Sequence, residues 1–163
     1  MNERINSNLQ NKMTILIRHA RKEDWFAIKA LVYRAGLNPI SLKWHRFIVA
    51  ECDGKIVGAR QIKILRDGTR EVASGVVSPS YRRQGISRKM METLLAKEKE
   101  PLYLMCDKKW SSYYQQFGFY EEPLHQLPSS FLCEYRAMSF IYRIASRLIL
   151  GEKLSMVTMK RTP

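Results

Sequence analysis

Apolar positions change rhythm along the chain, and the changes mark out its elements. Residues 14–18 (TILIR) are rich in β-branched side chains and predict a short strand. From Lys22 to Ala35 the side chains Trp25, Ile28, Leu31 and Val32 recur at helical spacing, and Gly36 supplies a stop. Leu37-Asn38-Pro39 breaks the chain. At Trp44 the rhythm turns to strands: residues 44–52 and 55–65 flank Asp53-Gly54, a two-residue hairpin signal, and a second Asp-Gly at 67 and 68 leads into residues 70–77. Three antiparallel strands follow one another, and Ser78-Pro79-Ser80 ends the third, because proline has no N–H to give to a central ladder. Helical spacing returns over residues 86–100, with Ile86, Met90 and Leu94 on the apolar face. Residues 101–106 (PLYLMC) predict a buried strand, and residues 108–117 a short helix closed by Gly118. A strand from Phe119, a longer helix from Arg136 to Leu150 and a last strand over residues 155–161 complete the order. The fold class is α/β (α+β): a mixed, mostly antiparallel central sheet flanked by helices.

Composition narrows the field. A chain of 163 residues fits one domain, here residues 14–163, preceded by a polar tail over residues 1–13 that is expected to fray. With 45% hydrophobic residues a packed core forms, which excludes wholesale disorder. Lys+Arg outnumber Asp+Glu by 28 to 15, a net +13 that attracts anions such as phosphates, nucleic acid or acidic lipid. Cys52, Cys106 and Cys133 match neither a zinc spacing nor a disulfide framework, and no metal site is expected. The first dozen residues lack the apolar stretch of a signal peptide, and no apolar run nears the roughly 18 residues of a membrane span. The expected location is the cytoplasm.

Residues 76–90 (VVSPSYRRQGISRKM) carry the most information. A buried strand ends, a tight turn follows, and a glycine stands at a helix start. Helix N-termini expose unpaired N–H groups and the positive end of the dipole, so cations there are unfavourable; yet Arg82, Arg83, Arg88 and Lys89 crowd that end. A bound polyanion resolves the conflict, with amides from Gln84 to Ser87 cradling it and the arginines neutralising it. Gly85 permits close approach. Neither a Gly-Lys-Ser/Thr loop nor a GxGxxG is present. A basic, solvated helix start is the plainer alternative.

With Val77-Ser78-Pro79 ending the strand and Arg82-Arg83-Gln84-Gly85-Ile86-Ser87 following, the sequence resembles the GCN5-related N-acetyltransferases (GNAT), whose signature is Arg/Gln-x-x-Gly-x-Gly/Ala. Ser87 departs from the usual Gly or Ala but is still small. The likeness runs from about Ile15 to Phe119 and takes in the Asp53-Gly54 hairpin and the SSYYQQFGF segment; LNPISLKW is more weakly similar to a cyanobacterial and plant branch. The resemblance implies the acyl-CoA N-acyltransferase fold, acetyl-CoA as co-substrate, an amine acceptor, and amides and side chains of Arg82, Arg83, Gln84, Gly85, Ile86, Ser87 and Arg88 on the pyrophosphate. It further implies that Tyr114, four residues before Gly118, protonates the CoA sulfur. A backbone N–H near Gly75 or Val76 is implied to hold the thioester carbonyl, and the main chain of Val77 to pair with the pantetheine arm.

Acetyl transfer to an amine needs a neutral amine, a stabilised carbonyl oxygen and a proton for the departing thiolate. On a helix Tyr113 and Tyr114 diverge by about 100°, so only one is expected to face the site. Glu71 matches the general base of some family members; strict alternation puts it on one face with Ala73, Gly75 and Val77. A rim carboxylate is the other reading. Asp107 stands where the family often has a cofactor-contacting Asn, and a carboxylate there would repel phosphates. His19, His45 and His125 are isolated and read as structural or surface residues. The Arg136–Leu150 helix is amphipathic, with Ala137, Phe140, Ile141, Ile144 and Leu148 beside Arg136, Arg143 and Arg147; packing onto the sheet is expected ahead of contact with an anionic membrane. A nucleic-acid-binding module lacks any recognised motif, a catalytically inactive acyl-CoA-binding protein stays open, and so does a homodimer.

Overall fold

The computed structural model describes residues 14–145 and 155–163. The expected tail over residues 1–13 and the end of the expected helix beyond residue 145 lie outside the described residues. Among the described residues seven strands form one sheet: β1 (Ile15–His19), β2 (Phe47–Cys52), β3 (Lys55–Ile64), β4 (Arg70–Val77), β5 (Leu102–Asp107), β6 (Tyr120–Glu121) and β7 (Met156–Arg161). Their order is β1-β2-β3-β4-β5-β7-β6, and every neighbouring pair is antiparallel except β4 with β5. Four α-helices of the described residues flank it: α1 (Trp25–Arg34), α2 (Ile86–Leu95), α3 (Ser111–Gln115) and α4 (Ser129–Ala145).

Alternation along β2 sorts the core onto two faces. Phe47 and Val49 pack with Ile28 and Val32 of α1, whereas Ile48, Ala50 and Cys52 pack with Ile86, Met90 and Leu94 of α2. The β2–β3 turn uses Asp53 (φ 47°) and Gly54 (φ 74°), the left-handed pair that a tight hairpin demands.

The ends of several elements differ from the sequence pattern. Residues 44–46 form a 3₁₀ turn, so β2 begins only at Phe47, and a second 3₁₀ turn over Lys22–Asp24 precedes α1. Helix α2 stops at Leu95: beyond the small Ala96 only lysines and glutamates precede Pro101, so no bulky apolar side chain remains to hold another turn against the sheet. Helix α4 starts at Ser129, seven residues before the expected Arg136. Its first turns are the ones that pack: Phe131, fully buried, meets Tyr103 and Leu127, with Leu132 beside them. The expected packing of Phe140, Ile141 and Ile144 onto the sheet is not found, since all three are exposed. Once Phe131 has docked, that later stripe lies beyond the contact.

Candidate active site

Strands β4 and β5 pair only at Arg70 with Leu102 and Glu71 with Tyr103. Beyond that they part, and the cause lies in β4. Between its pairs with β3, the register advances from Ala59 to Gln61 on one strand while it retreats from Val76 to Ala73 on the other, leaving Ser74 and Gly75 opposite Arg60. Ser74 takes φ 55° to make this bulge, and its hydroxyl accepts a hydrogen bond from Gln61 Nε2 at 3.0 Å. The extra residue flips the faces: Val72 and Val77 both pack on the α2 side, while Val76 packs on the α1 side. Glu71 therefore does not share a face with Val77, contrary to strict alternation.

A cavity of about 310 Å³ opens where the strands part, and its wall includes Arg60, Lys63, Glu71, Gly75, Tyr114 and Glu134. It draws on both faces of the sheet, so Glu71 and Tyr114 meet one space from opposite sides. Glu71 is 5% exposed. Lys63 Nζ stands 3.7 Å from Glu71 Oε2, within ion-pairing reach and too far for a hydrogen bond, and the same ammonium is held tightly by Glu134. Burial pushes the Glu71 carboxyl up to about 7; Lys63 opposes the rise and Glu134 adds to it.

Tyr114 is half-buried, its ring edge-on to Tyr113 at 5.1 Å and to Phe119 at 6.3 Å. Tyr114 lines the cavity and Tyr113 does not. The Tyr113 hydroxyl and Ser87 Oγ share a hydrogen bond at 2.7 Å, tying α3 to the start of α2. The two tyrosines serve neighbouring parts of the same region.

At the expected anion site, Arg83 (φ 63°) and Gly85 (φ 74°) both adopt left-handed backbone and curl the chain into α2. No side chain caps this helix, and its first internal bond runs from the Lys89 N–H to the Gly85 carbonyl, so the preceding amides are not tied up by the helix. A Cβ on Gly85 would meet nothing within 4 Å, which leaves open space beside those amides. Ile86 anchors the turn by burying its side chain in the core. Arg82 Nε donates to the Val77 carbonyl at 3.1 Å, on the strand edge that β5 has left. Arg88 bonds Gln116 Oε1 and stacks its guanidinium over Phe117 at 5.3 Å.

Asp107 accepts a hydrogen bond from the Lys109 N–H at 3.0 Å, so its carboxylate caps the turn after β5. None of the three histidines lines the cavity. Among the described residues no group of His, Cys, Asp or Glu is placed to hold a metal ion, and no helix is long and apolar enough to cross a membrane. Arg60, Lys63 and Glu134 were not singled out from the sequence. The signal was present for the first two: cations inside a long apolar strand, both 4% exposed in the fold, need a reason to be there. Glu134 lay upstream of the expected helix start and carried no local signal.

Residues 43–121, just under half of the chain, match the model of an acetyltransferase (GNAT) domain. No curated protein matches the chain. Among solved structures, N-acetylglutamate synthase from Neisseria gonorrhoeae, complexed with coenzyme A and N-acetyl-glutamate, is similar with a TM-score of 0.68 at 18% identity over 91% of this chain and 35% of that one. The present chain thus spans about a third of that protein's length. A Mycobacterium tuberculosis protein in complex with CoA and NLQ gives 0.65 at 20% identity, covering 91% of this chain and 99% of that one. A GNAT-family acetyltransferase from Staphylococcus aureus gives 0.62 at 19%, covering 91% and 98%. At these identities the likeness shows the fold. The domain match lies inside that fold and takes in both the parted strands and the Arg82–Ser87 turn, so this stretch of the chain is similar to a GNAT acetyltransferase domain.

Proposed function

We propose that the chain is an acetyl-CoA-dependent N-acetyltransferase that moves the acetyl group to a primary amine of a small-molecule or protein acceptor by direct attack, with no covalent enzyme intermediate. One observation carries this reading: an uncapped helix start, flanked in sequence by Arg82, Arg83 and Arg88, follows the end of β4, beyond the point where β4 has parted from β5. The amides of Gln84 to Ser87, with Arg82, Arg83 and Arg88, suit the diphosphate of coenzyme A. The free edge of β4 at Val77 suits the amide-bearing pantetheine arm as an added strand, and the bulge at Ser74–Gly75 is where an N–H from Gly75 or Val76 would meet the thioester carbonyl.

Within the cavity the two titratable partners divide the proton work. Glu71, held near neutrality by burial, takes the proton of the attacking nitrogen, directly or through water; Tyr114 gives one to the sulfur. A cytoplasmic location fits the unpaired thiols of Cys52, Cys106 and Cys133. The N-acetyl-glutamate bound by the Neisseria neighbour makes amino acids the first acceptors to screen.

Calorimetry with acetyl-CoA tests the reading. Arg82→Ala combined with Gly85→Glu, which aims a carboxylate into the open space beside the amides, should weaken binding by at least about 100-fold. Unchanged affinity would remove the proposal's main support. Tyr114→Phe should leave affinity nearly intact and lower turnover by about 100-fold.

A further inference from the structure

We propose that Arg60 takes part in the chemistry of this site: its guanidinium holds the negative charge on the coenzyme A sulfur as the thioester breaks. The inference rests on the acetyl-CoA reading above, and its test separates the two.

Arg60 lies in β3, opposite the bulge of β4, and is 4% exposed. Among the described residues no carboxylate lies within 4.0 Å of it. The other cations sunk into this sheet are treated differently: Lys63 has Glu71 and Glu134, and Arg18 has Asp24 and Glu51. Arg60 has only neutral company. Its Nη2 donates to Ser87 Oγ at 3.2 Å, its Nη1 faces Met91 Sδ at 4.0 Å, and its Nε has no partner. A buried cation without a counter-anion is costly, so the arrangement calls for an anion that arrives from outside.

Two contacts say where that anion sits. A Cβ on Gly75 would lie 2.6 Å from Arg60 Nη2, so only glycine lets the guanidinium lie against β4 at the place where β4 parts from β5. The Tyr114 ring stands 5.9 Å from the guanidinium carbon on another side. The charge is thus held between the bulge and the tyrosine assigned to the sulfur, in the wall of the same cavity. As the amine nitrogen bonds to the acetyl carbon, the C–S bond breaks and its electron pair goes to sulfur. The thiolate rests against Arg60, then takes a proton from Tyr114, which is reprotonated from solvent. The nitrogen's proton leaves to Glu71, which returns it to solvent, and the products are the amide and the free thiol.

The test uses coenzyme A itself, titrating the bound thiol through the ultraviolet absorbance of its thiolate in the wild type, Arg60→Met and Arg60→Lys. ADP serves as a probe that carries phosphates and no sulfur. In the wild type the bound thiol should titrate about 1–3 pH units below that of free coenzyme A. Arg60→Met should abolish the depression, Arg60→Lys should keep part of it, and ADP affinity should not change. The Arg60→Met protein without ligand should melt at the wild-type temperature or above, because it sheds an uncompensated charge. An unaltered thiol titration in Arg60→Met overturns the proposal. A parallel loss of ADP affinity overturns it too, making Arg60 a phosphate ligand, and so does a lower melting temperature, which marks a structural arginine. Failure of coenzyme A to bind the wild type sinks the acetyltransferase reading along with it.

Discussion

Three charged groups from three elements meet at Glu71: Lys63 on β3, Glu134 on α4, and the carboxyl itself on β4, with Tyr103 of β5 as its ladder partner. Because Glu134 takes the nearer hold on the ammonium, Glu71 is left with burial as its dominant influence, and its carboxyl rises from the usual 4.5 to about 7. Between those values the folded protein keeps a proton that the unfolded chain has lost. The stability linked to this group is present in full below about pH 4.5 and is lost as pH rises through 7, a change of about 3 kcal/mol. Glu71→Gln should therefore melt higher than the wild type by a margin that widens from pH 5 to pH 8. Under the proposed reaction it should also erase an acidic limb near pH 7 in kcat/KM, whereas Glu134→Gln, by releasing Lys63 toward Glu71, should move that limb to lower pH. Melting curves and pH–rate profiles read both effects; a limb unmoved in either variant would take Glu71 out of the proton transfer.

The elements divide by how local their causes are. The Asp53-Gly54 hairpin, the helix start at Gly85–Ile86 and the stop at Gly118 (φ 81°) each depend on neighbouring residues, and each was legible in the chain. Tyr114, picked out through the family resemblance, lines the cavity. The bulge was only half legible: Gly75 hinted at it, but the shift of register depends on pairing with β3, which no local pattern encodes. Arg60, Lys63 and Glu134 belong together only because three distant segments converge. The start of α4 is a tertiary effect of the same kind. The Ser130 N–H donates to Asp67 Oδ2 at 3.1 Å, anchoring the helix to the β3–β4 turn, and Phe131 then fills the space over Tyr103. Phe131→Ala should cost about 3–5 kcal/mol in denaturant unfolding, and Ile141→Ala, on the exposed stretch, no more than about 0.5 kcal/mol. Equal losses would place the packed stripe of α4 further along the helix than the structure does.

Across the whole molecule, the main-chain ladder divides into two plates, β1 to β4 and β5 with β7 and β6, fastened by the Arg70–Leu102 and Glu71–Tyr103 pairs. Side chains under the join help: Met90 and Leu94 of α2 share a cluster with Leu102 and Leu104. Past the bulge, however, the inner edges of the plates have no strand between them. In hydrogen exchange, coenzyme A should slow the amides of Val76 and Val77 and leave β2 unchanged. A ligand that lies along both edges acts as a splint, and its grip is available only while the plates keep their folded spacing. Under the proposed function, rigidity of the whole body would then track how much coenzyme surrounds it, so that a protein starved of the acyl donor would also be the first to unfold.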